Sequence, residues 1–315
     1  MSKFNVIIIG LGRWGKNLCR NFSDANALAG VYDHNLELAQ TFSAQYQVPV
    51  LEIEQACQDP SIHAFIIATP VQYHEQYLKL AIEYGKHAWV EKPLCISGDV
   101  SEDLLMSARG HEKTIFVDYL PVYHPAITEL KQKLLGAQDI FNVESRRKAW
   151  GVWRPEGVMW DLLCHDLALM FYLFGDLNVE NSQLISQRCL QYSKLPDAIV
   201  LEIENNHIHY RIENSCISPI KEQKVIVTSP KKAWVFDALA QGNSYLKELT
   251  LSHNPMSYSE QLHEIPNTEP LRVAVNHFID CCHTGEKPIT NIEFAFKVEQ
   301  AIRQLSIQFI EKING

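Results

Sequence analysis

Six residues, GLGRWG at positions 10 to 15, stand between the apolar run NVIII and RWGKNLCRNFSD, a stretch with helical spacing. Glycines 10, 12 and 15 between a strand pattern and a helix pattern narrow the accessible folds more than any other feature of the chain. Gly10 permits a tight turn, Gly12 leaves room for a pyrophosphate to approach the backbone, and Gly15 lets the helix pack closely on the strand. The helix N-terminus adds amide donors and partial positive charge. Arg13 and Trp14, between the glycines, belong to the same expected cofactor contact. The second strand pattern, LAGVYD, ends at Asp33. An acid there accepts from ribose hydroxyls and repels a 2'-phosphate, so NAD is expected and NADP disfavoured. His34 beside it softens that preference. The bland alternative is a tight turn with Asp33 capping the helix NLELAQ.

The rhythm around this motif gives the fold class. FNVIII, LAGVYD, AFIIAT and HAWVE read as short buried strands separated by helical stretches, which predicts a doubly wound parallel sheet over residues 1–121, an α/β Rossmann domain. From 122 to 315 the order changes. Helices are expected over PAITELKQKLLG and from about 157 to 174. Consecutive extended segments between 177 and 252 predict an open, mainly antiparallel sheet, and two helices near 271–283 and 292–312 close the chain. At 315 residues, two domains are the default, the second serving substrate binding and oligomerisation.

Composition excludes several function classes. A net charge of -9 argues against a broad nucleic-acid or anionic-membrane surface. The N-terminal apolar run is too short for a secretory signal, and no stretch approaches the ~18 apolar residues of a membrane span. Eight scattered cysteines without a CxxC pair read as reduced thiols of a cytoplasmic protein. His207 with His209, and the cluster His277, Cys281, Cys282 and His283, lack the spacing of a zinc site, so no metal is expected.

Two further strand ends point at the same crevice. The turn after AFIIAT places Ala68, Thr69 and Pro70, with nearby His74, at the carboxyl edge of the sheet where ligands of such folds bind. HAWVE runs into EKP, which delivers Glu91 and Lys92 to that edge while Pro93 fixes how the chain leaves it.

GLGRWGKN, VYDHN, IATPVQYHEQYLKLAIEYGKHAWVEKPL, YHPAITELK, WDLLCHDLALMFYLFGD and EPLRVAVNHFIDCCHTGEKPIT occur in this order over nearly the whole chain. In this it resembles the Gfo/Idh/MocA family of NAD(P)-dependent oxidoreductases. The resemblance implies that Lys92 is catalytic, and the chemistry agrees: oxidising an alcohol needs a base or proton relay beside the hydroxyl. It also implies that Asp161 and His165, four apart on one predicted helix, meet the lysine across a cleft, with His165 moving the proton and Asp161 orienting it or binding substrate. Glu91 is expected to orient Lys92 and line the cofactor site. Many members of the family have a small residue where Leu163 stands and an aspartate where Ala168 stands. The combination WDL..HD resembles a subgroup acting on nucleotide-linked amino sugars and their uronates.

Tyr123, His124, Arg146 and Trp153 are the remaining substrate candidates, with Trp150, Trp160, Arg147 and Arg154 interleaved. They offer stacking and guanidinium forks for a sugar or diphosphate, or else a capped core with solvated arginines. The expected function is hydride transfer between NAD and a secondary alcohol of a sugar, by a homodimer or homotetramer. The alternatives are a free sugar, inositol or polyol dehydrogenase, a non-catalytic NAD-binding sensor, and NAD-dependent elimination without net redox.

Overall fold

The computed structural model describes residues 3–95, 102–151, 157–180, 182–187 and 196–314. The chain divides into two compact units, Met1–Leu120 with Pro270–Lys297, and Pro121–Glu269 with Val298–Gly315.

In the first unit β1 (Val6–Ile9), α1 (Arg13–Asp24), β2 (Leu28–Tyr32), α2 (Leu36–Tyr46), α3 (Ile53–Gln58), β3 (Ala64–Ile67), α4 (His74–Glu83), β4 (His87–Glu91), α5 (Glu102–Gly110) and β5 (Ile115–Asp118) follow in order. The five strands are parallel and lie in the order β2-β1-β3-β4-β5. All of β1, β3 and β5 is buried, as expected of strands covered on both faces. β5 is an addition to the four strands read from sequence. Strand order reverses between β1 and β3, so the crevice outside their carboxyl ends is the ligand-binding position of the fold. The sequence boundary at 121/122 needs one correction, because residues 270–297 return to this unit. The cause is α8 (Pro270–Thr284), whose Phe278 is fully buried against Phe22, Trp89 and Phe116 at ring-centroid distances of 6.2, 5.7 and 5.8 Å. Burying such a ring contributes about 1.5–3 kcal/mol.

The second unit contains α6 (Pro125–Leu135), β6 (Asn142–Trp150), α7 (Cys164–Phe174), β7 (Gln183–Gln187), β8 (Ala198–Asn205), β9 (Ile208–Ser215), β10 (Ile217–Thr228), β11 (Lys232–Asp237), β12 (Leu246–His253) and β13 (Met256–His263). The last helix, α9 (Ile292–Asn314), crosses the division between the units. The eight strands form one sheet in the order β13-β12-β11-β10-β6-β9-β8-β7, antiparallel throughout except for the β6–β9 pair. Alternation along β6 is strict: Val143, Ser145 and Arg147 are buried, while Asn142, Glu144, Arg146 and Lys148 are not. Among the described residues no helix is long and apolar enough to cross a membrane.

Candidate active site

The glycine loop is built as the spacing predicts. Gly10 has φ +93°, and a Cβ there would lie 2.7 Å from the Ala68 carbonyl oxygen. A Cβ on Gly15 would come 2.0 Å from the Gly10 carbonyl oxygen, so only glycine lets α1 start this close to β1. Around Gly12 nothing lies within 4 Å of an added Cβ, and Gly12, Arg13 and Trp14 are exposed. An open, backbone-lined cradle at a helix N-terminus fits the diphosphate of a dinucleotide.

Asp33 anchors this loop from β2. Its Oδ2 accepts from Leu11 N at 2.7 Å and its Oδ1 from Asn35 N at 2.9 Å, while Asn35 rather than Asp33 caps α2 by accepting from Leu38 N. The side chain of Asp33 is 7% exposed and that of His34, 3.1 Å away, 93%. Sequence reasoning missed the bond to Leu11. A carboxylate has about four acceptor positions, so two filled by amides leave capacity for ribose hydroxyls.

Ala68, Thr69 and Pro70 follow β3 at the carboxyl edge, with Ala68 N donating to Ile9 O at 2.8 Å. His74 requires correction as a cofactor contact, because it is 2% exposed. Its ring nitrogens lie 2.8 Å from the Pro93 and Thr69 carbonyl oxygens, and whichever carries the proton donates to its carbonyl. Burial lowers its pKa, against the pull of those two bonds. The imidazole therefore ties the turn after β3 to the turn after β4. Lys92 stands half-buried between the buried Glu91 and Pro93. Glu91, expected to line the cofactor site, is 5% exposed and sits in register with Asp118 of β5 beneath that surface. Asp118 escaped the sequence reading, although IFVD ends in an acid at a strand end just as HAWVE does.

The helix of the second unit changes type at the motif. Met159–Leu163 form a π-helical turn, and the α-helical α7 begins at Cys164. Such π turns recur at functional sites. Asp161 and His165 remain half-buried on a helix whose other residues from Leu163 to Met170 are buried. With Leu162 they are the partly exposed positions of this stretch. Leu163 and Ala168 are fully buried, so both departures from the family pattern face the core.

Asp166, next to His165, is 1% exposed. Its Oδ1 accepts from Ser145 Oγ at 3.0 Å and from the Arg147 guanidinium at 3.2 Å, and its Oδ2 accepts from Asn214. This network fastens α7 to β6 and β9. Arg147 is thereby a structural residue. Arg146, a substrate candidate, lies on the opposite face of β6, pairing with Glu144 at 2.7 Å, because neighbouring strand residues point to opposite faces. Tyr123 is corrected too: at 2% exposure it has no surface to offer a substrate. The ring of His124 caps α6, its Nδ1 accepting from Ala126 N at 3.1 Å, and packs edge-on to Phe236 and Tyr245. Burial pushes its pKa down to about 4. Trp160 is core and Trp150 is exposed, while Trp153 and Arg154 lie outside the described residues.

Residues 4–119 match the family model described as "Oxidoreductase family, NAD-binding Rossmann fold". The UDP-N-acetylglucosamine 3-dehydrogenase of Acidithiobacillus ferrooxidans is 28% identical over 172 residues, 53% of each chain, so this chain spans about half the length of that curated relative. A solved structure of that enzyme superposes with TM-score 0.86 at 20% identity, covering 96% of both chains. Levoglucosan dehydrogenase in complex with NADH and levoglucosan gives TM-score 0.82 at 15% identity, covering 97% of this chain and 96% of that one. At these identities the two structures establish a shared fold.

Proposed function

Because residues 4–119 match the Gfo/Idh/MocA model of oxidoreductases with an NAD-binding Rossmann fold, we propose that the chain is a member of that family and an NAD-dependent dehydrogenase of a secondary alcohol on a sugar. The substrate we favour is a nucleotide-linked amino sugar or its uronate. The observation that carries the reading is the delivery of half-buried Lys92 to the carboxyl edge of the sheet that bears the glycine cradle. The bound dinucleotide supplies the hydride acceptor. Lys92 takes the hydroxyl proton or polarises its oxygen, and within the second unit Asp161 and His165 are the titratable pair suited to substrate binding and proton transfer. Gly10, Gly12, Arg13, Trp14 and Gly15 hold the diphosphate, Ala68, Thr69 and Pro70 border it, and Asp33 selects NAD over NADP through the ribose.

The name of the A. ferrooxidans relative supports the nucleotide-sugar substrate. One observation favours a second reading, a free sugar or polyol substrate: Arg146 and Arg147 are both engaged by carboxylates, which removes two receptors for a diphosphate. We place the protein in the cytoplasm, in keeping with the seven cysteines among the described residues, none of them bridged. It would act as a homodimer or homotetramer, formed through the outer strands of the second sheet, where Met256 and Tyr258 of β13 are 89% and 66% exposed.

The test is nicotinamide absorbance at saturating NAD as UDP-N-acetylhexosamines, their uronates, free hexoses and inositols are added in turn. Reduction with the nucleotide sugars alone supports the favoured substrate, and reduction with free polyols alone replaces it with the second. Lys92→Met should leave NAD affinity within about twofold while lowering turnover by ~10²–10⁴. Equal loss of cofactor affinity would make the lysine a binding residue.

A further inference from the structure

The dehydrogenase reading assigns no role to the second carboxyl beside Lys92. β4 and β5 end in register with Glu91 opposite Asp118, on parallel strands about 4.8 Å apart, so both side chains leave the same face of the sheet. Glu91 is 5% exposed and Asp118 2%. Both Asp118 oxygens are sealed from solvent, and the Glu91 carboxyl is the side chain that reaches them. Two carboxyls this close and this dry resist holding two charges, since like charge and desolvation both favour keeping a proton. On β5, Val117 N donates to Thr290 O at 2.8 Å, a neutral neighbour, and the ring of Tyr119, next in the chain, packs on Phe294 at 5.9 Å. Lys92 is the cation that acts on Asp118.

Resting on the dehydrogenase reading, we infer that Glu91 and Asp118 are a proton-sharing carboxyl pair that gives up its shared proton within the neutral range and sets the charge against which Lys92 works. Burial pushes Asp118 up to about 7, against the downward pull of Glu91 and Lys92, which brings loss of the shared proton into the neutral range. Below that midpoint Lys92 works against one charge, and above it against two. The pair touches neither cofactor nor substrate, so both are positioning residues whose influence passes through the lysine.

The experiment is a pH 5–9 NMR titration of the full chain without ligands, labelled with ¹³C at aspartate carboxyl carbons and ¹⁵N at lysine side chains. Asp118→Asn and Lys92→Met assign the two resonances. One aspartate resonance should titrate near pH 7 and vanish in Asp118→Asn. Glu91→Gln should move that midpoint by a unit or more, because the carboxyl that shares the proton is lost. The Lys92 resonance should step at the same midpoint and lose the step in Asp118→Asn, a response that packing alone does not produce. Absence of any aspartate titrating above pH 5.5, or a Lys92 step unchanged in Asp118→Asn, overturns the inference. The ligand-free readout separates the two claims. A carboxyl step in a protein that oxidises no sugar sinks the dehydrogenase reading and leaves the pair, whereas turnover without the step sinks only the pair.

Discussion

The cradle of the first unit and the helix face of the second put functional groups in place by different means. Around Gly10, Gly12 and Gly15 the proposed binding surface is backbone, positioned by a φ of +93° at Gly10 and by the absence of side chains. At Asp161 and His165 the proposed active groups are side chains on a helix held by the buried Asp166, Arg147, Ser145 and Asn214. The first arrangement is local in sequence and tolerates little. The second draws on positions 145, 147, 166 and 214, so damage to it should appear first as lost stability rather than lost cofactor affinity.

That contrast can be broken at four places. Asp166→Ala strands the Arg147 guanidinium in the core and should cost about 3–5 kcal/mol in urea unfolding, with NAD affinity unchanged. A parallel loss of NAD affinity would erase the distinction. Asp33→Ala removes both the proposed ribose acceptor and the anchor of Leu11 N, so NAD affinity should fall ~100-fold by fluorescence titration and NADP affinity less. Equal losses would leave Asp33 as a loop anchor alone. Gly12→Ala has space for its methyl group, so thermal stability should stay level while NAD binds about tenfold more weakly, some 1.4 kcal/mol. Unaltered affinity would show that no phosphate approaches there.

The smallest effect belongs to His124. Its pKa, about 4 in the folded protein against ~6.5 when unfolded, means the unfolded chain binds more protons in that window. Stability is therefore full above ~6.5 and is lost as pH falls toward 4. Asn keeps the cap without titrating, so His124→Asn should reduce the stability lost between pH 7 and 5.5 by about 1 kcal/mol. An identical pH slope would mean that the ring does not resist protonation.

What the sequence disclosed follows from the same contrast. Short apolar strands, glycine spacing and the EKP strand end are local signals, and the structure places Gly10, Gly15 and Lys92 at the sheet edge as expected. Arg146 was misplaced because its charge drew attention while the period-2 alternation of β6, also visible in sequence, decided its face. The bond from Leu11 to Asp33 and the register of Glu91 with Asp118 depend on strand order, which no single segment carries. His74 was placed at the crevice by its nearness to the turn after β3, whereas its ring is buried between two backbone carbonyls.

The return of α8 to the first unit has a consequence for synthesis. Phe278 closes a core begun by Phe22, Trp89 and Phe116. A chain emerging from the ribosome has made its parallel strands by Leu120 but must wait for roughly 150 residues, Pro121–Glu269, before α8 arrives. At about 5–20 residues per second, that interval is on the order of ten seconds. During it the face of the sheet that Phe278 will cover is exposed to chaperones or to other nascent chains, so the nucleotide-binding unit is the first begun and among the last completed.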